Sequence, residues 1–239
     1  MKFYRYFLDG HPIYLVRYYW WAYLWQPAVW FFDHQVIINS ILFGQYKKLM
    51  SETLSCLKTI PKGEILQLTC VYGSLTQNLL KRVFPRCIHI ADVADAQLKK
   101  ICDKTSNDKH LIPARMNAEQ LAYKDNAFSE IVLFFLLHEM PLEARHRVLS
   151  ECMRVLSLNG MLVCTEYAPL PSKHIFYRFY PSRFILTRLE PFLSGFWDDD
   201  ILSLLRVLGK PYNKDIEVVS HKLIFCNFYR VTQFRVIEL

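Results

Sequence analysis

From residue 64 onward the chain alternates short apolar runs with amphipathic stretches of helical period, and this alternation constrains the fold more than any other feature of the sequence. Residues 64–69, 87–91, 131–135 and 161–167 read as buried strands, because their apolar runs are too short for helices. Residues 75–83, 96–104 and 141–156 read as helices, the last ending at the Asn159-Gly160 turn. Strand–helix–strand repetition requires right-handed crossovers, hence a mostly parallel sheet with helices on both faces. The tail over 216–236, IEVVSHKLIFCNFYRVTQFRV, is strand-rich and suits a hairpin closing the sheet. A chain of 239 residues accommodates one such domain with appendages. The expected organisation is an extension over 1–60 and a sheet domain over 61–239 carrying an insertion at about 168–212.

The extension is aromatic. Between Tyr18 and Phe32 no charge occurs, yet YYWWAYLWQPAVWFF contains Pro27 and falls short of the ~20 apolar residues that a membrane span needs. Two readings stay open: the rings rest at the headgroup level of a bilayer, or they form a lid over the domain's own core. From Pro27 to Leu57 the pattern is helical, with Val29, Phe32, Val36, Phe43 and Met50 on one face. In the insertion, Lys173, Arg178, Arg183 and Arg188 recur among Phe and Tyr with no acid, which suits a surface for anionic lipid or a solvated helical cover over the active site.

The net charge of +7 favours anionic partners. No nucleic-acid signature interleaves with the basic residues, so an inner-membrane or other anionic lipid surface is the expected partner and nucleic acid is not. The 7 cysteines are odd in number and scattered, without a CxxC pair, as expected of reduced thiols. The N-terminal residues lack a signal-peptide pattern, and the expected location is cytoplasmic, peripheral on the inner face of the cell membrane. Nothing in the sequence fixes an oligomeric state.

Strand, tight turn, helix, strand, acid is the order of a nucleotide site at the carboxyl ends of parallel strands. Here the turn is Gln67-Leu68-Thr69-Cys70-Val71-Tyr72-Gly73, and Asp92 closes the second strand, where a carboxylate can accept both hydroxyls of a ribose. Asp at a strand end is also an ordinary helix cap. Further on, Asn117, Ala118, Leu121, Asp125, Phe128, Leu158 and Gly160 stand in the run from MNAEQLAYKDNAFSEIV to LSLNGMLV. This run resembles the second half of class I S-adenosylmethionine-dependent methyltransferases of the ubiquinone C-methylase type, with Asn117 in place of the usual Asp. The resemblance covers about residues 60–168 and implies a Rossmann-like α/β fold. It departs at the first motif, where such enzymes read L-D-x-G-C-G-x-G and Gln67, Thr69 and Val71 replace an acid and two glycines. Bulk at Thr69 and Val71 is expected to change how the methionine end of the cofactor sits.

Three stretches, YYWWAY at 18–23, LTCVYGSLT at 68–76 and FFLLHEMP at 134–141, resemble the rhodoquinone-biosynthesis family, divergent relatives of those methyltransferases. The resemblance implies replacement of a ubiquinone ring methoxy by an amino group, with S-adenosylmethionine as amino donor and a divalent metal, manganese, assisting. It places cofactor contacts at Gln67, Thr69, Cys70, Gly73, Asp92, Val93, Asn117, Ala118 and Phe134. Catalysis is expected from His138, Glu139, Tyr72, Tyr167 and Gln67, with Glu139 and Glu166 as candidate metal ligands. An α-amino group titrates near ~8, and a neutral Gln67 would leave it free of an ion-pairing carboxylate. The alternatives are a C- or O-methyltransferase of a quinone or phenolic lipid, and a non-catalytic quinone-binding protein of the same fold. His138 and Glu139 equally admit a capping or core role on position alone.

Overall fold

The fold was analysed in a computed structural model, which describes residues 10–57, 63–169 and 188–239. The sheet has seven strands in the order β3-β2-β1-β4-β5-β7-β6. These are β1 (Glu64–Leu68), β2 (Ile88–Asp92), β3 (Leu111–Arg115), β4 (Phe128–Phe134), β5 (Leu156–Tyr167), β6 (Lys214–Ile224) and β7 (Tyr229–Glu238). The first five are parallel, and β7 runs antiparallel between β5 and β6. The chain moves outward from β1 to β3 and returns to place β4 against the other side of β1. That reversal opens a crevice at the carboxyl ends of β1 and β4.

The central strands are buried on both faces, as their unbroken apolar runs require. Ile65, Leu66, Leu68, Ile88, Ile90, Ile131, Val132, Leu133, Leu162 and Val163 are fully covered. Their covers are the helices of the repeating pattern. In α4 (Leu75–Val83), Leu75, Leu79 and Val83 turn inward; α5 spans Asp95–Lys104, and α6 (Leu142–Val155) buries Ala144, Val148, Leu149 and Cys152. Beyond β5 the described part of the insertion forms α7 (Leu193–Trp197) and α8 (Ile201–Gly209).

Several expectations need correction. The helix over 27–57 is three helices, α1 (Gln26–Phe32), α2 (Gln35–Ile41) and α3 (Tyr46–Ser55), because His34 takes extended backbone between the first two, and Phe43 and Gly44 take left-handed backbone between the last two. Before them Leu15–Leu24 winds as a π-type helix, closing on the Trp25 N–H to Trp20 carbonyl bond. The strand β3 is unexpected from a run containing Pro113; at the sheet's edge a proline costs no ladder bond on its open side. The Asn159-Gly160 pair does not end a helix but lies within β5, where the register against β4 shifts. The basic aromatic run at Lys173, Arg178 and Arg183 lies outside the described residues. Among the described residues no helix is long and apolar enough to cross a membrane.

Candidate functional site

At the carboxyl ends of β1, β2, β4 and β5, beneath the N-terminal helices, lies a cavity of about 270 Å³. One end is the β1 turn. Thr69 is left-handed there (φ 64°), so the loop keeps a glycine-like shape although a β-branched residue fills the position. The shape is held from behind: Gln67 is fully buried, its Nε2 donating to the Thr69 carbonyl (3.0 Å) and its Oε1 accepting from Thr76 Oγ1 (3.0 Å). Asp92 completes this end. Its carboxylate accepts the Cys70 N–H (2.7 Å) and the Ala94 N–H (2.8 Å), fixing its direction at the cavity wall. Burial pushes its pKa up to about 6, against the opposing pull of those amides.

The other end is built on the turn after β4. Phe135 takes left-handed backbone (φ 55°), and a single 3₁₀ turn, Leu137–Glu139, follows. Glu166, fully buried on β5, accepts the Leu136 N–H (2.7 Å), the Leu137 N–H (2.6 Å) and the His138 Nδ1 hydrogen (2.8 Å). One carboxylate thus holds the turn and orients the imidazole. With Nδ1 donating to Glu166, Nε2 faces the cavity, 3.9 Å from Glu190 Oε2. Donor atoms of His138, Glu139 and Glu190 all lie within 4.8 Å of one another. Burial pulls the His138 pKa down, but Glu166, Glu190 and Glu139 outweigh it and set it at about 9. Glu139 and Glu190 are both raised, first by burial and, for Glu139, by Glu190 beside it.

Aromatic side chains connect the two ends. Tyr19 donates to Glu190 Oε2 (2.8 Å) and Tyr23 to Glu139, so the leading helix is tied to both carboxylates. Tyr23 stacks on Tyr72 at 5.7 Å, and the Tyr72 hydroxyl donates to the Ala22 carbonyl. Tyr167 meets the His138 ring edge-on at 4.8 Å. The structure therefore gathers Thr69, Cys70, Asp92, Val93, Asn117, Ala118 and Phe134 with Tyr72, His138, Glu139 and Tyr167 around one cavity.

Three expected site residues stand behind its wall. Gln67, expected in catalysis and cofactor contact, is buried behind the loop with both ends of its amide bonded there, and it does not line the cavity. Gly73 is required by conformation (φ 83°) and by space, since a Cβ there would meet Tyr46 Oη at 2.5 Å; it contacts Asp33 rather than the cavity. Glu166 faces backbone amides and His138 and does not line the cavity. The sequence reading missed Glu190, which has no local motif and reaches the cluster from the insertion. It also missed Gln97, a buried cavity residue whose side chain meets the Tyr72 hydroxyl.

Comparison with known proteins agrees with this architecture. Residues 65–160 match the family described as "Methyltransferase domain". Over 165 residues the chain is 28% identical to demethylmenaquinone methyltransferase of Thermotoga maritima, covering 69% of each chain. It is 26% identical to the ubiquinone/menaquinone biosynthesis C-methyltransferase UbiE of Rickettsia akari over 165 residues, 65% of each. The matched region thus spans about two thirds of these relatives' length. Among solved structures, the N-methyltransferase NodS of Bradyrhizobium japonicum with S-adenosyl-L-homocysteine is similar at a TM-score of 0.55 and 14% identity, over 79% of this chain and 86% of that one. A methyltransferase from Methanosarcina mazei is similar at a TM-score of 0.55 and 16% identity, over 77% of this chain and 96% of that one. The chain therefore has the Rossmann-like fold of the class I S-adenosylmethionine-dependent methyltransferases, and its residues 65–160 are similar to the methyltransferase domain family.

Proposed function

We propose that this protein uses S-adenosylmethionine to modify the ring of a membrane quinone, and that the modification is exchange of a ubiquinone ring methoxy for an amino group. The quinone substrate class is supported by the two relatives named for quinone methylation. The Asp92 end, with its carboxylate fixed by two amides, suits the ribose of the adenosyl group. The aromatic middle, Tyr23, Tyr72 and Tyr167, suits a flat ring.

The observation that carries the amino-transfer reading is the His138–Glu139–Glu190 cluster facing the same cavity. Displacement of a methyl group from a sulfonium needs no such donor set. One nitrogen and two carboxylates suit a divalent cation such as Mn²⁺, and Glu166 on Nδ1 would hold the ring so that Nε2 ligates once the cation displaces its proton. When bound there, the cation would polarise a quinone oxygen. His138, Glu139 and Glu190 would hold it, and Tyr19 and Tyr23 would turn the two carboxylates toward it. In the exchange, the ring carbon gains the donor's nitrogen and loses methoxide, which leaves as methanol with the proton the amine sheds; the bond from that nitrogen to the donor's Cα must then break, water giving its proton to the ring amine and its hydroxyl to the carbon.

The second reading, methylation of a quinone or phenolic lipid, is favoured by the names of the relatives. Incubation with ubiquinone, S-adenosylmethionine and Mn²⁺ separates the two, since methoxy-to-amino exchange lowers the quinone's mass by about 15 units and methylation raises it by about 14. The expected outcome is the loss, abolished in His138→Ala and Glu190→Gln. A product heavier by one methyl group would overturn amino transfer.

A further inference from the structure

The outward surface of the N-terminal helices is apolar where a cover over a private cavity would be polar. Trp25, Trp30 and Phe31 are 49%, 60% and 48% exposed, and Val36 is 75% exposed. Helix α2, QVIINSI, buries no residue at all despite four aliphatic side chains. Apolar exposure concentrated in this way marks an interaction surface. Charge identifies what it meets. Between residues 10 and 51 the single acid is Asp33, and it points inward to Gly73 and Lys104, whereas Arg17, Lys47 and Lys48 are exposed. Exposed indole and phenyl rings in a segment whose exposed charges are basic, with no outward acid, complement an anionic headgroup layer.

The cavity supplies the orientation. Ile41 and Leu189 are 45% and 52% exposed yet also line the cavity, so the apolar exterior continues into the interior. We propose that Trp25, Trp30, Phe31 and Val36 seat in the headgroup layer of an anionic bilayer, and that Ile41 and Leu189 rim the passage through which a lipid-soluble substrate enters. The passage rests on the quinone reading above; the docking does not. A second copy of the chain on this face would shut the rim that a membrane leaves in contact with its lipid.

The test is sedimentation of the full chain with vesicles, in the absence of quinone and S-adenosylmethionine. Binding is expected to vesicles of phosphatidylcholine with phosphatidylglycerol and to weaken with phosphatidylcholine alone or added salt. Trp30→Ser combined with Phe31→Ser should lower the partition coefficient at least about tenfold, the equivalent of one lost buried aromatic side chain. Val36→Glu should do likewise. Neither variant lies in the cavity, so thermal unfolding and S-adenosylhomocysteine binding should match the parent and show that the fold is intact. Equal sedimentation of parent and variants, or no binding to either vesicle, would overturn the docking. So would a concentration-dependent dimer that these substitutions dissolve without any vesicle binding. A parent chain that binds S-adenosylhomocysteine but neither vesicle sinks the docking alone, and one that binds the vesicles but not S-adenosylhomocysteine sinks the proposed function alone.

Discussion

Asp92 is a carboxylate whose environment works against its charge. It is 6% exposed, and burial lifts its pKa to about 6 despite two amide hydrogen bonds. A group shifted in this direction prefers the proton in the folded state, so the empty protein carries a penalty above about pH 6 that fades as pH falls through that value toward 3.8. Ligand binding should run the other way. On the proposed reading an ionised Asp92 would accept both ribose hydroxyls, whereas the protonated acid keeps fewer acceptors. The affinity for S-adenosylhomocysteine is therefore expected to fall as pH drops through about 6, approaching tenfold per unit, in calorimetric titrations between about pH 5 and pH 8. Asp92→Asn should bind more weakly at all these values and lose the slope. A pH-independent affinity in the parent would show that the carboxylate does not receive the ribose.

At the scale of elements, the junction between α1 and the β1 turn decides whether the cavity has a roof. Asp33, just past α1, accepts the Gly73 N–H (3.0 Å) and the Lys104 ammonium (2.6 Å), and Lys104 also donates to the Gly73 carbonyl. One carboxylate thus fastens the aromatic helices to the loop that shapes the nucleotide end. Asp33→Ala is expected to cost about 1–2 kcal/mol in urea unfolding, since the pair is only partly shielded from water. It should also weaken S-adenosylhomocysteine binding several-fold, while Asp33→Asn, which keeps an acceptor for Gly73, loses less. Unchanged affinity in Asp33→Ala would mean that roof and loop are independent. The junction was not legible in the sequence, where Asp33 is one acid in an aromatic run. What was legible is what local pattern encodes: β1, β2, β4 and the helices after them follow from apolar period, and Asp92 from its place at a strand end. Pairing across the sheet gave β3, which Pro113 disguised. Left-handed backbone at Phe43 and Gly44 broke the helix that periodicity alone would continue. The site divided the same way, with His138 and Glu139 carried by a compact motif and Glu190 reaching them only through tertiary structure. Gln67 looked like a cofactor contact because its position in the motif is known, but its hydrogen bonds turn it inward.

Taken whole, the molecule closes its cavity with three separate parts: the leading helices through Tyr19 and Tyr23, the sheet through Asp92 and His138, and the insertion through Glu190. None of these parts covers the site alone. A ligand filling the cavity must therefore stabilise their mutual arrangement as well as its own contacts. At a concentration of about 100 times Kd, S-adenosylhomocysteine contributes about 2.7 kcal/mol to the folded state by mass action. For a chain of 239 residues that corresponds to a rise in Tm of roughly 5–10 °C. Amide exchange should locate the gain. If the parts close as one unit, the amides of Leu15–Leu24 slow together with those of the β1 turn, although Tyr19 and Tyr23 bind the far end of the cavity. Slowing confined to the β1 turn and the residues after Asp92 would mean that the roof moves independently of the nucleotide end. In that case Mn²⁺, drawn to the carboxylates that Tyr19 and Tyr23 hold, would be the ligand expected to order the leading helices instead.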